Sequence, residues 1–156
     1  MTEYQKDLLT KRYRQVRRRE PLEDQIQAAV IAHMKWRGRD GVIYFAIPNG
    51  GYRWETTGAR LKAMGVRPGV ADLQFIWNDD LGQVPADAHP RGAEIEAAGG
   101  HHGPHILFLE LKRPGGRQSP VQHEFEIECG KAGAMYRIAY DLDEALEVLK
   151  GYGILK

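Results

Sequence analysis

The sequence predicts an α/β protein built on a mixed central β-sheet of about four strands flanked by helices. Three observations carry this. Segments with helical spacing alternate with short runs rich in β-branched, aromatic and aliphatic residues. The run at residues 105–112, His105-Ile106-Leu107-Phe108-Leu109-Glu110-Leu111-Lys112, is apolar on both faces until its last residues, as a central strand of a covered sheet is. A capped helical segment then leads from this run into another strand, a pattern that yields a right-handed parallel crossover.

Size and composition set the frame. A chain of 156 residues, 28% charged and 42% hydrophobic, suits one soluble domain with a real core. The single cysteine, Cys129, rules out an intrachain disulfide and fits a reducing compartment. No apolar run reaches membrane-span length and the N-terminus lacks a signal-peptide core, so a cytoplasmic protein with no membrane partner is expected. The net charge of +1 hides an uneven distribution. Residues 1–20 hold seven basic groups against three acids, a net of +4. Residues 79–104 hold five acids against Arg91, a net of −4.

Taken in order, residues 1–20 form a basic arm whose Arg17-Arg18-Arg19 could grip phosphates; a solvated charge run explains them as well. Residues 21–156 form the domain. Pro21 opens a helix over residues 21–37, with Leu22, Ile26, Ala29, Val30, His33 and Met34 at helical spacing on its buried face. Glu23 fits the first turn of that helix, where an acid faces the dipole; it could also reach a site at the sheet's edge. Residues 42–47 read as a buried strand. Pro48-Asn49-Gly50-Gly51 is a turn, and a short helix is expected around residues 57–64. Asn49, Gly50, Gly51, Arg53, Arg60, Lys62 and Arg67 together suit a phosphate-facing rim, because glycines admit close backbone approach; ordinary surface charge is compatible with the same residues.

Residues 69–77, from Gly69 to Trp77, read as the next strand, with Asp72 on one face with Val70, Gln74 and Ile76. Residues 79–104 lack periodicity and read as a flexible acidic insertion, with a short helix near residues 93–98. His101, His102 and His105 have no cysteine near them, so a histidine cluster without zinc is expected. After the strand at 105–112 comes the basic glycine turn of Arg113, Pro114, Gly115, Gly116 and Arg117. Ser119, Pro120 and Gln122 fit the N-cap, first position and capping-box partner of a helix whose buried stripe is Val121, Phe125 and Cys129. A fourth strand over residues 134–140 and a helix from Asp141 to about Lys150 complete the domain.

The chemistry lies in the charges on otherwise apolar strands. Glu110 and Lys112 share a face with Ile106 and Phe108, while Leu107, Leu109 and Leu111 form the other. Buried ions are costly unless paired or bound to a metal. Asp72 on one strand and Glu-x-Lys on the next form the layout of a metal-dependent phosphodiesterase site. Mg²⁺ takes oxygen ligands and usually only one or two carboxylates. Asp72 and Glu110 supply those, the Leu111 carbonyl a neutral ligand, and Lys112 a cation to orient water or stabilise the transition state. Glu23 could complete the shell directly or through water. A structural ion pair between Lys112 and either acid competes with this reading, and Glu-x-Lys alone is a weak motif.

Several blocks together carry a resemblance. They are Pro48-Asn49-Gly50-Gly51-Tyr52-Arg53, Gly58-Ala59-Arg60-Leu61-Lys62-Ala63-Met64-Gly65-Val66 and Pro68-Gly69-Val70-Ala71-Asp72-Leu73. Further on come Leu109-Glu110-Leu111-Lys112-Arg113-Pro114-Gly115-Gly116, Ser119-Pro120-Val121-Gln122 and Asp141-Leu142-Asp143-Glu144-Ala145-Leu146. Over residues from about 22 to the C-terminus, without 79–104, the chain resembles the VRR-NUC family of the PD-(D/E)xK nuclease superfamily, in its small stand-alone bacterial and phage form. The resemblance implies a restriction-endonuclease-like core and a Mg²⁺- or Mn²⁺-dependent DNA endonuclease. It puts the metal-binding acids at Asp72 and Glu110, the catalytic lysine at Lys112, and active-site roles at Gln122 and Glu23. On sequence grounds Gln122 serves equally as a helix cap. Ala71 stands where the family usually has proline, and the acidic insertion is a larger departure. The resemblance further implies a homodimer acting on branched or four-way junction DNA. The alternative is a catalytically idle or partner-dependent DNA-binding module of a phage or bacterial DNA-processing complex.

Overall fold

The computed structural model describes residues 23–47, 60–78 and 104–156. Outside them lie the basic arm, Pro21 and Leu22, the turn with Asn49, Gly50 and Gly51, Arg53, the start of the short helix, and all of the acidic insertion except Pro104. The described elements run α1 (Glu23–Arg37), β1 (Ile43–Ala46), β2 (Leu73–Trp77), β3 (His105–Leu111), α2 (Pro120–Ala132), β4 (Met135–Ala139) and α3 (Leu142–Gly151). The strands form one mixed sheet in the order β1-β2-β3-β4. β2 is antiparallel to both β1 and β3, and β4 runs parallel to β3 after the α2 crossover.

The predicted periodicities explain the packing. Ile26, Val30 and Met34 recur every four residues along α1 and are buried together. They meet Leu73, Phe75 and Trp77 of β2, Leu107, Leu109 and Leu111 of β3, and Ala145, Leu146 and Leu149 of α3 in the larger core. The opposite sheet face makes a smaller core under α2, from Ala71, Phe125, Cys129, Ala134 and Tyr136, with Ile106 and Phe108 packed against it. Phe125 meets the Phe108 ring edge-on at 5.0 Å. β3 is therefore covered on both faces, as its sequence predicts.

Both long helices after β3 begin on the predicted caps. The Ser119 side chain accepts from the Gln122 N–H, and the Gln122 side chain accepts from the Ser119 N–H, a complete capping box. Asp141 accepts from the Glu144 N–H at 2.9 Å, while the Glu144 carboxylate takes the Tyr140 N–H at 2.8 Å. The short helix preceding β2 ends as predicted, at Gly65 in the left-handed region (φ +89), with Val66 N–H donating to the Leu61 carbonyl. The chain end is pinned by Arg37, whose guanidinium donates to the Lys156 carbonyl at 2.9 and 3.2 Å.

Three expectations need correction. Val121, expected in the buried stripe of α2, is 44% exposed, and the buried residues of that helix are Phe125 and Cys129. The strand at residues 42–47 is not buried: Ile43 is 61% and Phe45 43% exposed. It is one of the sheet's two edge strands, but β4 at the other edge is buried under the flanking helices, whereas Ile43 and Phe45 belong to neither core. The second strand begins at Leu73, not Gly69. Gly69 has φ +83 and turns the chain, and Val70 and Ala71 both pack into the smaller core instead of alternating. Asp72 therefore stands at the mouth of β2, still tied to β1's end by the Ile47 N–H donating to its carbonyl at 2.8 Å. No helix among the described residues is long and apolar enough to cross a membrane.

Candidate active site

The first residue ahead of β2 and the last residues of β3 lie at the same end of the sheet. Leu73 pairs with Leu109 in the antiparallel register, so one further step places Asp72 opposite Glu110. The Asp72 side chain turns to accept the Leu111 N–H at 2.8 Å. Its approach depends on Gly69: a Cβ there would lie 2.5 Å from the Val121 carbonyl oxygen. The turn that delivers Asp72 thus sits directly on the first turn of α2, which carries Gln122.

Glu110 is the centre of the cluster. It is 2% exposed, and its Oε1 accepts from Lys112 Nζ at 2.5 Å and from Gln122 Nε2. Its Oε2 is buried with no hydrogen-bond partner. Lys112 is also buried, and its own N–H donates to the Ala139 carbonyl at 2.9 Å, so the backbone stays on β4 while the side chain bends to Glu110. The Arg113–Gly116 turn folds over the Lys112 stem. Pro114 and Gly115 (φ +78) occupy its centre, Gly116 N–H closes it on the Arg113 carbonyl at 2.8 Å, and a Cβ on Gly116 would stand 3.4 Å from Lys112 Cβ.

Burial pushes the Glu110 carboxyl up to about 7; the Lys112 hydrogen bond pulls it down, and the charges of Asp72 and Glu23 push it further up. Burial likewise raises Asp72, opposed by the Leu111 N–H and Lys112 and reinforced by Glu23 and Asp24. Two carboxyls that repel each other, with one buried oxygen lacking a donor, leave a site short of positive charge. An all-oxygen donor set of this kind suits a hard divalent cation.

The predicted residues are brought together unequally. Glu110, Lys112 and Gln122 form one hydrogen-bonded cluster, and Asp72 stands beside it, bonded to the Leu111 N–H and acting on Glu110 and Lys112 through its charge. Glu23 is exposed at its rim, accepting the Arg113 N–H at 3.3 Å, and acts on both acids through its charge. Among the described residues no three His, Cys, Asp or Glu side chains gather closely enough to hold an ion by themselves. Arg60, Lys62, Arg113 and Arg117 are exposed. Arg67 is engaged instead: it bonds Glu128 of α2 at 2.7 Å and lies over the Phe125 ring at 5.7 Å. Asn49, Gly50, Gly51 and Arg53 lie outside the described residues.

Sequence reasoning missed Tyr136. It pairs with Phe108 across β3 and β4, on the face that carries Glu110, and is buried in the smaller core. Burial and then the Glu110 charge raise its phenol, with Gln118 opposing. Strand alternation would have placed it there once the parallel register of β3 and β4 was known.

No family model and no curated protein matches the chain. A solved structure named "VRR_NUC domain protein" matches with a TM-score of 0.55 and 22% identity, over 83% of this chain and 86% of that one. At that identity the likeness is one of fold: this chain has the α/β architecture of that structure, a mixed four-stranded sheet with flanking helices.

Proposed function

We propose that this protein is a metal-dependent DNA endonuclease that hydrolyses phosphodiester bonds. The observation that carries the reading is the convergence of Asp72, Glu110 and Lys112 at one end of an otherwise apolar pair of strands, with Glu110 Oε2 buried and unpartnered. A structural ion pair accounts for Lys112 and one Glu110 oxygen. It does not account for a second acid beside them or for the unpartnered Oε2. The fold shared with a protein named for a VRR_NUC domain supports the same reading.

Asp72 and Glu110 would hold Mg²⁺ or Mn²⁺, with the Leu111 carbonyl beside them and Glu23 acting through water. Such an ion neutralises phosphoryl charge and makes water acidic. The protein's own groups do the rest. Lys112 Nζ, fixed by Glu110, holds the attacking water or donates to the charge that builds on phosphorus-bound oxygen. Gln122 keeps Glu110 in place. Exposed Arg60, Lys62, Arg113 and Arg117 contact the DNA backbone, which positions the strand without reading sequence. A homodimer would set two such centres on a two-fold axis, as paired cuts in a four-way junction require.

The test is cleavage of duplex, single-stranded, flap and four-way junction DNA with Mg²⁺ or Mn²⁺. Cleavage is expected, greatest on the branched substrates, and lost in Asp72→Ala. Equal cleavage by wild type and folded Asp72→Ala would sink the assignment. Metal-independent junction binding without cleavage under any divalent ion would favour an idle binding module.

A further inference from the structure

Glu110 presents two oxygens with different surroundings, and the difference is set outside the strand. Oε1 receives two donors, Lys112 Nζ and Gln122 Nε2, which fill its two lone pairs. Oε2 receives none. The Gln122 amide has only one workable orientation. Its Oε1 accepts the Ser119 N–H at 2.9 Å, a main-chain donor that cannot turn away. Flipping the amide would set its NH₂ against that N–H and its oxygen against Glu110 Oε1, two like-with-like contacts.

We propose that the capping box of α2 selects the Glu110 oxygen offered to a cation: Ser119 locks the Gln122 amide, the amide and Lys112 saturate Oε1, and Glu110 binds a divalent ion through Oε2 alone. Ser119 and Gln122 are then positioning residues, acting on the ion through Glu110. This rests on the cation site of the proposed function. It adds that a helix cap, ordinarily a device for stability, sets the ligation mode. The partners of a carboxylate ligand typically alter metal affinity about 10–100-fold when removed.

Two measurements test it on the full chain. The first is a crystal structure of the wild type with saturating Mn²⁺. The expected result is Glu110 bound through Oε2 only, with Gln122 still bridging Ser119 N–H and Glu110 Oε1. An ion engaging Oε1, or both oxygens, overturns the proposal. An intact Ser119–Gln122–Glu110 chain with no ion at Asp72 and Glu110 overturns it too, and shows that the cation reading itself has failed.

The second is Mn²⁺ affinity by calorimetry in Ser119→Pro and Ser119→Ala. Ser119 has φ −78 and ψ 159, which proline adopts, so the first removes the N–H with little backbone change. The second keeps the N–H and loses only the hydroxyl that accepts the Gln122 N–H at 3.4 Å. Ser119→Pro should weaken Mn²⁺ about tenfold or more and Ser119→Ala much less. Equal affinity of folded Ser119→Pro and wild type contradicts the lock. If Ser119→Pro does not fold, the wild-type crystal structure decides.

Discussion

The two faces of β3 are built from one strand and do opposite things. One face, Leu107, Leu109 and Leu111, lies in the larger core against α1 and α3. The other starts the same way, with Ile106 and Phe108 beneath α2, then ends in Glu110 and the flanking Lys112. Both ends are equally shut off from water. The apolar face gains from that burial. On the ionic face, burial leaves a carboxyl raised to about 7 and an oxygen without a donor. A face that gives up stability where its neighbour gains it is where function is expected.

Substitutions beside the ionic end of β3 and on its apolar face should therefore separate activity from stability. Asp72→Asn keeps an oxygen for the Leu111 N–H but removes the charge. It should lower cleavage about 10³-fold while leaving the melting temperature at or above the wild-type value. Leu109→Ala on the other face should do the reverse. Leu109 is fully buried, and its truncation should cost about 2–5 kcal/mol in denaturant unfolding, with cleavage per folded molecule preserved. Gly69 joins the two behaviours, because its turn both packs on α2 and delivers Asp72. Gly69→Ala forces a left-handed backbone and a clash with the Val121 carbonyl. It should destabilise by about 1–3 kcal/mol and reduce cleavage as well.

The acidity of Glu110 gives a smaller, pH-dependent contrast. Burial raises its pKa on folding, from about 4.5 to about 7, so the folded state keeps a proton that the unfolded chain releases. That contribution is fully present below the unfolded value and is lost as pH rises through about 7. Without divalent ions, wild-type stability should fall by about 1–3 kcal/mol between pH 5 and 8, and the slope should flatten in Glu110→Gln. An unchanged slope would mean the carboxyl is not the source. The smallest effect concerns the rim. Arg117→Ala should reduce the salt dependence of DNA binding by about one unit in the log–log slope. Arg67→Ala should change it less, because Glu128 already engages that guanidinium.

Much of this was legible in the sequence where local rules act alone. The caps at Ser119 and Asp141, the i, i+4 stripe of Ile26, Val30 and Met34, and the alternation of Leu107, Leu109 and Leu111 each follow from a few adjacent residues. Asp72, Glu110 and Lys112 stood out because ionic groups on apolar strands demand a reason. What remained hidden depends on contacts distant in sequence. The exposure of β1 depends on which parts of the sheet the helices cover, and the break before Asp72 on Gly69 packing against Val121. Tyr136 reaches the Glu110 side of the sheet only through a parallel register that the crossover sets. Gln122 shows the limit most clearly: local rules gave it only the cap and the resemblance alone added a place beside Glu110, while in the fold its amide oxygen takes the Ser119 N–H and its amide nitrogen donates to Glu110 Oε1.

The most direct test of the ionic face is the melting temperature of wild type and Asp72→Ala at pH 8, in EDTA and in Mn²⁺, without DNA. An ion that binds only the folded state stabilises it by about 2.7 kcal/mol at a hundred times its dissociation constant. Mn²⁺ should therefore raise the wild-type melting temperature clearly and leave that of Asp72→Ala unmoved. Equal shifts in both proteins, or none in either, would contradict a cation site at Asp72 and Glu110.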